Sequence, residues 1–380
     1  MEIYVVRSGD TIDSIANALG IEAESLIDAN QLIYPYELAV GQALLVQRGD
    51  RAAVRAITVS GYAYPFISAW VLDQTLPFLS ELPIFSYGFT MEGELLPPAY
   101  GNDSWMITLA RQYGVQPILT LTPFGPEGIF NNRLINSVVN NEAYRENLIQ
   151  NLLYVIEEKG YSGVDIDFEY ILASDREAFT AFVSRVADTM RSYGYHTSVA
   201  LAPKTSATQT GLLYEGKDYR ALGEVADHVL LMTYEWGYTY GPPLAVAPIN
   251  QVRRVVEYAL TEIPAEKIDL GIPNYGYDWP LPYERGVTAA TTINNVQAVR
   301  IAVEYGAEIL FDEVAQSPYF TYTDQDVGHE VWFEDVRSLN AKFGLIREYG
   351  LRGCGYWTVM PWFYANWLLL QNQFFINKPL

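Results

Sequence analysis

The densest concentration of reactive groups in the chain is Gly163-Val164-Asp165-Ile166-Asp167-Phe168-Glu169. Read as a β-strand, alternate side chains share a face, so Asp165, Asp167 and Glu169 point one way and Val164, Ile166 and Phe168 the other. The apolar set suits the helix-facing side of a barrel strand. That turns three carboxylates into the barrel interior, with Glu169 nearest the C-terminal mouth. Unpaired buried carboxylates are costly and repel one another, and the expected response is shared protons and raised pKa values. A carboxyl tuned in this way stays protonated near neutral pH and can serve as a general acid. The same groups could instead ligate a metal at the barrel mouth, but the three scattered histidines His196, His228 and His329 add no supporting pattern. No metal or cofactor is expected.

A barrel is what the rest of the chain predicts. Apolar β-like runs alternate with helical patterns from about residue 55 onward, the arrangement of βα units on a parallel sheet. Eight strands are predicted, at Ile57 to Tyr62, Ile84 to Thr90, Pro117 to Thr122, Gly163 to Glu169, Thr197 to Ala202, His228 to Tyr234, Ile268 to Asn274 and Gly353 to Thr358. The clearest helices between them are Glu142 to Lys159 and Asp175 to Tyr193, and the sum is a (β/α)8 TIM barrel of the α/β class. The stretch after the seventh strand is too long for a plain loop, so residues of about 275–333 are expected to form a small α+β insertion walling the catalytic face. Within it Thr291 to Tyr305 reads as helix, and Glu308 to Val314, Tyr319 to Thr323 and Glu330 to Phe333 read as strands.

Residues 1–48 carry a separate pattern of strand, helix, helix, strand. Tyr4 to Val6 is the first strand, and Ser8 to Thr11 forms a turn and helix cap. Ile12, Ile15, Ala16 and Leu19 mark one helical face, with Gly20 at its C-cap. A second helix over Glu22 to Asn30 and a strand over Ala43 to Val46 complete it. A charged connector, Arg48 to Arg55, leads to the barrel at 55–380. The module resembles LysM over its whole length, through YVVRSGDTIDSIAN, Asn30-Gln31-Leu32 and VGQALLV. That resemblance implies binding of N-acetylglucosamine glycans through two loops, here Gly9 to Ile12 (Gly9, Asp10, Thr11 and Ile12) and Asn30 to Tyr34, with Asn30, Gln31 and Leu32 as the candidate contacts on the second. Gly9, Asp10 and Thr11 are also turn and cap residues, whatever they bind.

The barrel is similar to glycoside hydrolase family 18, whose signature D-G-x-D-x-D-x-E ends the fourth strand. Over residues 55–380 the resemblance implies that Glu169 is the acid/base, that Asp167 orients a substrate 2-acetamido group, and that Asp165 supports Asp167. It also implies that Tyr234, in Leu231-Met232-Thr233-Tyr234, steadies the acetamido carbonyl and that Trp357 floors the reacting sugar, with Glu235 and Trp236 touching substrate. A core role for Tyr234 and Trp357 would serve equally well without the family, since aromatics at strand ends are commonplace. Ser162 replaces the signature's first aspartate. Residues two apart on one strand lie about 6.6 Å apart, so the carboxylates meet a sugar from one side. An ordinary retaining enzyme needs a second carboxyl across the ring. Retention is then consistent with the substrate's own acetamido oxygen acting as nucleophile.

Phe168 in the signature, MTYEWGYTYGPPLAVAP, GIPNYGYDW and VWFED resemble the LysM-bearing spore-cortex and germination group within the family. This implies an N-acetylglucosaminidase acting on peptidoglycan, with chitin as the alternative substrate and a lectin-like barrel as the non-catalytic one, the latter disfavoured by the presence of Glu169. Composition agrees with a neutral glycan partner: net charge is −21 and there are 29 Tyr, 16 Phe and 8 Trp. That charge speaks against nucleic acid or anionic membrane as a partner, since binding either relies on clustered Lys and Arg. No apolar run of membrane-spanning length and no signal-peptide pattern at the N-terminus is read, so a soluble, spore- or wall-associated protein is expected.

Overall fold

The computed structural model describes residues 1–49 and 53–379; part of the expected connector, residues 50–52, lies outside them. The N-terminal unit is β1 (Glu2–Val5), α1 (Ile12–Leu19), α2 (Ala23–Ala29) and β2 (Ala43–Val46), with β1 and β2 antiparallel. Thr11 caps α1 through a reciprocal bond pair with Ser14, and Gly20 ends it in the left-handed region. Val6, Ile12, Ile15, Leu26, Leu44 and Val46 form its small core.

Eight parallel strands follow: β3 (Ala56–Gly61), β4 (Glu81–Phe89), β5 (Gln116–Leu121), β6 (Gly163–Ile166), β7 (His196–Leu201), β8 (His228–Leu231), β9 (Ile268–Pro273) and, after the insertion, Gly353–Trp357. Each pairs with the next, and β3 pairs with both β4 and Gly353–Trp357, so the sheet closes into a TIM barrel. The helix Glu142–Lys159 has the bounds the sequence predicts, and Arg176–Ser192 lies within its predicted span. The end of the barrel where the strands start is closed by ions: Arg352 bonds both Glu81 and Asp269, with His228 3.5 Å from Glu81. That leaves the opposite mouth for the cleft.

Two strands end earlier than expected. β6 stops pairing at Ile166 and β8 at Leu231, apart from one further bond each, Asp167 N–H to Leu121 O and Met232 N–H to Leu201 O. Beyond them the chain bends, and Tyr170 and Glu235 take positive φ of 56° and 69°. Non-glycine residues held there cost about 1–3 kcal/mol each and concentrate at functional sites.

The insertion contains β10 (Gly276–Leu281), β11 (Thr291–Ile293), α3 (Asn295–Glu304), β12 (Leu310–Asp312), β13 (Ser317–Asp324) and β14 (Val327–Trp332). They form an antiparallel sheet in the order β11-β10-β14-β13-β12. The sequence reading differs at two places. Thr291–Ile293 is a strand, because it pairs with β10, and helix begins only after the Asn294 cap. β10 (Gly276–Leu281) is a further strand where none was expected.

The N-terminal unit is packed onto both other parts. Ala29 and Leu45 belong to the barrel-side core and Ala39 to that of the insertion. Gln31 bonds the backbone of Trp362 and Tyr364, Ile309 N–H donates to Val40 O, and Arg337 reaches Gly41 O. Gly41 has φ +81°, and a Cβ there would lie 1.9 Å from Ile309 O. Gly41→Ala therefore opposes both its own turn and this contact. It is expected to cost about 1–3 kcal/mol and to lower Tm by about 1–4 °C in calorimetry, since an unfolding entropy of about 2.1 cal/mol/K per residue gives roughly 1.3 °C per kcal/mol in a chain of this size. An unchanged Tm would mean the contact does not hold the unit in place.

Candidate active site

The alternation predicted for the carboxylate row is present. Val164, Ile166 and Phe168 are fully buried on the outer side. Phe168 stacks on Phe179 and Phe182 of the Arg176–Ser192 helix and on Phe89, with ring centroids 5.4 to 5.7 Å apart. Asp165 and Asp167 are buried inside, and Glu169 is half-buried at the mouth. Asp165 is held from the adjacent strand and from across the barrel: Ser198 Oγ on β7 donates at 2.6 Å, and Tyr62 OH, just past the end of β3, at 2.8 Å. Asp167 Oδ1 has no hydrogen-bond partner despite complete burial.

These carboxyls hold their protons more tightly than usual. Burial is the main cause for all three; for Asp167 the charges of Glu169 and Asp165 add to it. The counterweight is Lys217, a fully buried lysine whose Nζ donates to Ala200 O at 3.0 Å. Ala200 is the residue of β7 that continues the register opposite Asp167, since Asp165 faces Ser198 and Ile166 faces Val199. Burial lowers the lysine's own pKa, and the charges of Glu169, Asp167 and Asp165 raise it in return. Its ammonium lowers the pKa of Asp167 and Glu169. Gly216 makes its placement possible: a Cβ there would come within 2.5 Å of Ile171, so only glycine lets this loop lie against the end of the carboxylate strand.

A cleft of about 590 Å³ opens above the row, lined by Asp167, Glu169, Tyr234, Glu235, Met232 and Trp357 among others. Trp357 lies between Phe85 and Tyr62, with centroids 4.9 and 5.6 Å away. The Tyr234 hydroxyl is buried and its pKa is pushed well above the ordinary range, first by desolvation and then by the charge of Asp167. Glu235 stands at the rim, where Tyr277 OH donates to its Oε1 at 2.9 Å and Tyr275 OH donates to the same oxygen. Thus six residues expected at the site, Asp165, Asp167, Glu169, Tyr234, Glu235 and Trp357, are brought together. Trp236 is not. It lies outside the cleft lining, packed half-buried against the barrel core, because the chain turns at Glu235 and its N–H is taken by Val246 O.

The module's expected contacts divide. Asp10, Thr11 and Ile12 line an open recess, and Gly9 makes the turn before them with φ +86°. Asp10 accepts from Tyr4 OH and Arg7 N–H, so part of its polarity is already used. Asn30 is spent inside the module on Leu26 and Leu45, and Gln31 on the barrel; Leu32 packs half-buried on the module core.

Comparison with known proteins agrees with this geometry. The family model for glycosyl hydrolases family 18 matches residues 130–360, and the LysM domain model matches residues 4–47. The chain belongs to glycosyl hydrolase family 18. It is a glycosidase with a LysM domain at its N-terminus. The cortical fragment-lytic enzyme of Bacillus subtilis (strain 168) is 36% identical, over 100% of this chain and 99% of its own. The crystal structure of the spore cortex-lytic enzyme SleL from Bacillus megaterium QM B1551 superposes with a TM-score of 0.92 at 33% identity, covering 99% of this chain and 98% of that one. Its counterpart from Bacillus cereus gives 0.91 at 32% identity, with 99% of both chains covered.

Two site residues of this family 18 glycosidase escaped the sequence reading. Tyr62 could have been found by extending the same strand alternation past Ser60. Lys217 gave no local signal, since it sits in a loop and acquires its surroundings only from the fold. The glycosidase carries a buried charge whose sign can be tested. Asp167 has a folded pKa raised above its unfolded value, so its ionised form weighs against folding once pH passes about 4, the ordinary aspartate range. Asp167→Asn should therefore match wild type in Tm below that pH and exceed it increasingly as pH rises toward neutrality. A wild type that is the more stable at neutral pH would show Lys217 to compensate Asp167 fully.

Proposed function

We propose that this protein hydrolyses N-acetylglucosaminyl bonds in peptidoglycan, spore cortex being the favoured source, with retention of configuration. The observation that carries the mechanism is the one-sided row Asp165, Asp167 and Glu169 at the base of a cleft that Trp357 also lines. Among the described residues the remaining carboxylate lining the cleft is Glu235, and one of its oxygens already accepts two tyrosine hydroxyls. This supports a role for Glu235 in holding sugar hydroxyls rather than in attacking carbon.

In the proposed reaction Glu169 gives its proton to the glycosidic oxygen as the C1–O bond breaks and its electron pair leaves with that oxygen. The acetamido carbonyl oxygen of the same sugar attacks C1 from the opposite face and forms a cyclic oxazolinium ion. Asp167, free at Oδ1, accepts the acetamido N–H and, in its ionised form, stabilises the positive charge that develops there. Tyr234 donates to the carbonyl side. Water then attacks C1, Glu169 takes its proton, and the ring opens. Two inversions give net retention. Asp165, fixed by Tyr62 and Ser198, keeps Asp167 in place, and Lys217 lets one carboxylate of the row remain charged.

The substrate rests on different support. Full-length similarity to proteins named for lysis of cortical fragments and spore cortex favours peptidoglycan, and the LysM domain suits an N-acetylglucosamine polymer. Action at the spore cortex or cell wall follows from that substrate. Among the described residues no helix is long and apolar enough to cross a membrane. Digestion of purified cortex, followed by borohydride reduction and mass spectrometry, should give N-acetylglucosaminitol ends. Glu169→Gln should lower the rate by about 10²–10⁴-fold. Muramitol ends, or cleavage of chitin with cortex untouched, would overturn the assignment.

A further inference from the structure

One helix joins the catalytic cleft to the LysM domain. α3 has 10 residues, a rod about 15 Å long. At its start Asn294 and Gln297 line a recess that shares Glu235 and Trp357 with the cleft. Midway, Val299 and Arg300 face Tyr34 of the LysM domain across a crevice of about 410 Å³. In its last turn Val303 closes the recess formed by Asp10, Thr11, Ile12 and Tyr36. Three hollows are thus laid along one rod, and the domain cannot swing away from them. It is held by the Val40–Ile309 backbone bond, by Arg337 on Gly41, and by Gln31 on the barrel.

The middle crevice is furnished for a sugar. Tyr34 is 82% exposed and sets its ring edge to face with Tyr36, centroids 5.8 Å apart. An exposed aromatic of this kind offers an apolar face beside a polar hydroxyl. Arg300 is exposed and, among the described residues, makes no hydrogen bond or ion pair, so its guanidinium is open to a carbonyl or carboxylate. We propose that the cleft and the LysM domain bind one and the same N-acetylhexosamine strand, with α3 as the fixed spacer between them. The inference rests on the cleft being the glycosidase site proposed above. The domain then sets the register in which a strand enters the cleft. A domain that engaged a different strand from the cleft would, by contrast, gain affinity only on material that offers many strands.

Calorimetry on the full chain carrying Glu169→Gln, with soluble N-acetylglucosamine oligomers of increasing length, tests this. Short oligomers should bind two per chain. Oligomers long enough to span α3 should bind one per chain, with affinity raised by at least the lower end of the ~10²–10⁴-fold gain of bivalent binding. Tyr34→Ala combined with Arg300→Ala, both at exposed positions, should remove most of that gain. Two long oligomers per chain, or a gain that survives the double substitution, would overturn the proposal. Failure of the glycosidase reading would look different: the wild-type chain would bind oligomers in this pattern and leave them uncleaved.

Discussion

Three carboxyl groups share one strand inside a barrel, with one buried ammonium set against them. This imbalance is the constraint on which the site depends. Burying several like charges together is unfavourable enough that the groups retain protons instead. Lys217 prevents complete neutralisation, since its charge favours an anion within the row. An acid and an anion two residues apart are what protonation of a leaving group and restraint of an acetamide require, and both arise from one local electrostatic balance.

The rest of the architecture serves that balance. Phe168 and its ring partners lock the outer face of the strand, which fixes the direction of the inner one. Ser198 from the adjacent strand and Tyr62 from across the barrel take the deepest carboxylate out of the reaction and make it a support. The left-handed residues Tyr170 and Glu235 immediately follow Glu169 and Tyr234, so the chain leaves the barrel just where the reactive groups must face the cleft. Stability given up in this way is commonly recovered in packing elsewhere, here in a continuous core that reaches from the barrel into the LysM domain.

Much of this was legible in the sequence where chemistry follows from local order. Period-two alternation placed Asp165, Asp167 and Glu169 correctly, and the eight apolar runs located the barrel strands, because both signals belong to a single element. Strand ends were overextended at Glu169 and Tyr234, since propensity does not register that a chain must bend to open a site. Thr291–Ile293 was read as helix because a short strand with one partner has little pattern of its own. Lys217 and the seating of the LysM domain were invisible for a related reason. A lysine in a loop and a glycine at position 41 acquire meaning only from residues hundreds of positions away, such as Ile309. Trp236 was a neighbour in sequence of two cleft residues, yet the turn at Glu235 carries it away.

The claim that the substrate supplies its own nucleophile can be tested directly by weakening that nucleophile alone. Aryl N-acetylglucosaminides whose acetyl methyl carries zero, one, two or three fluorines differ little in size, while the carbonyl oxygen becomes steadily less electron-rich. The account predicts that the rate constant for hydrolysis falls progressively along the series at constant leaving group. A flat series would contradict it, and would direct attention to Glu235 or to water as the attacking group.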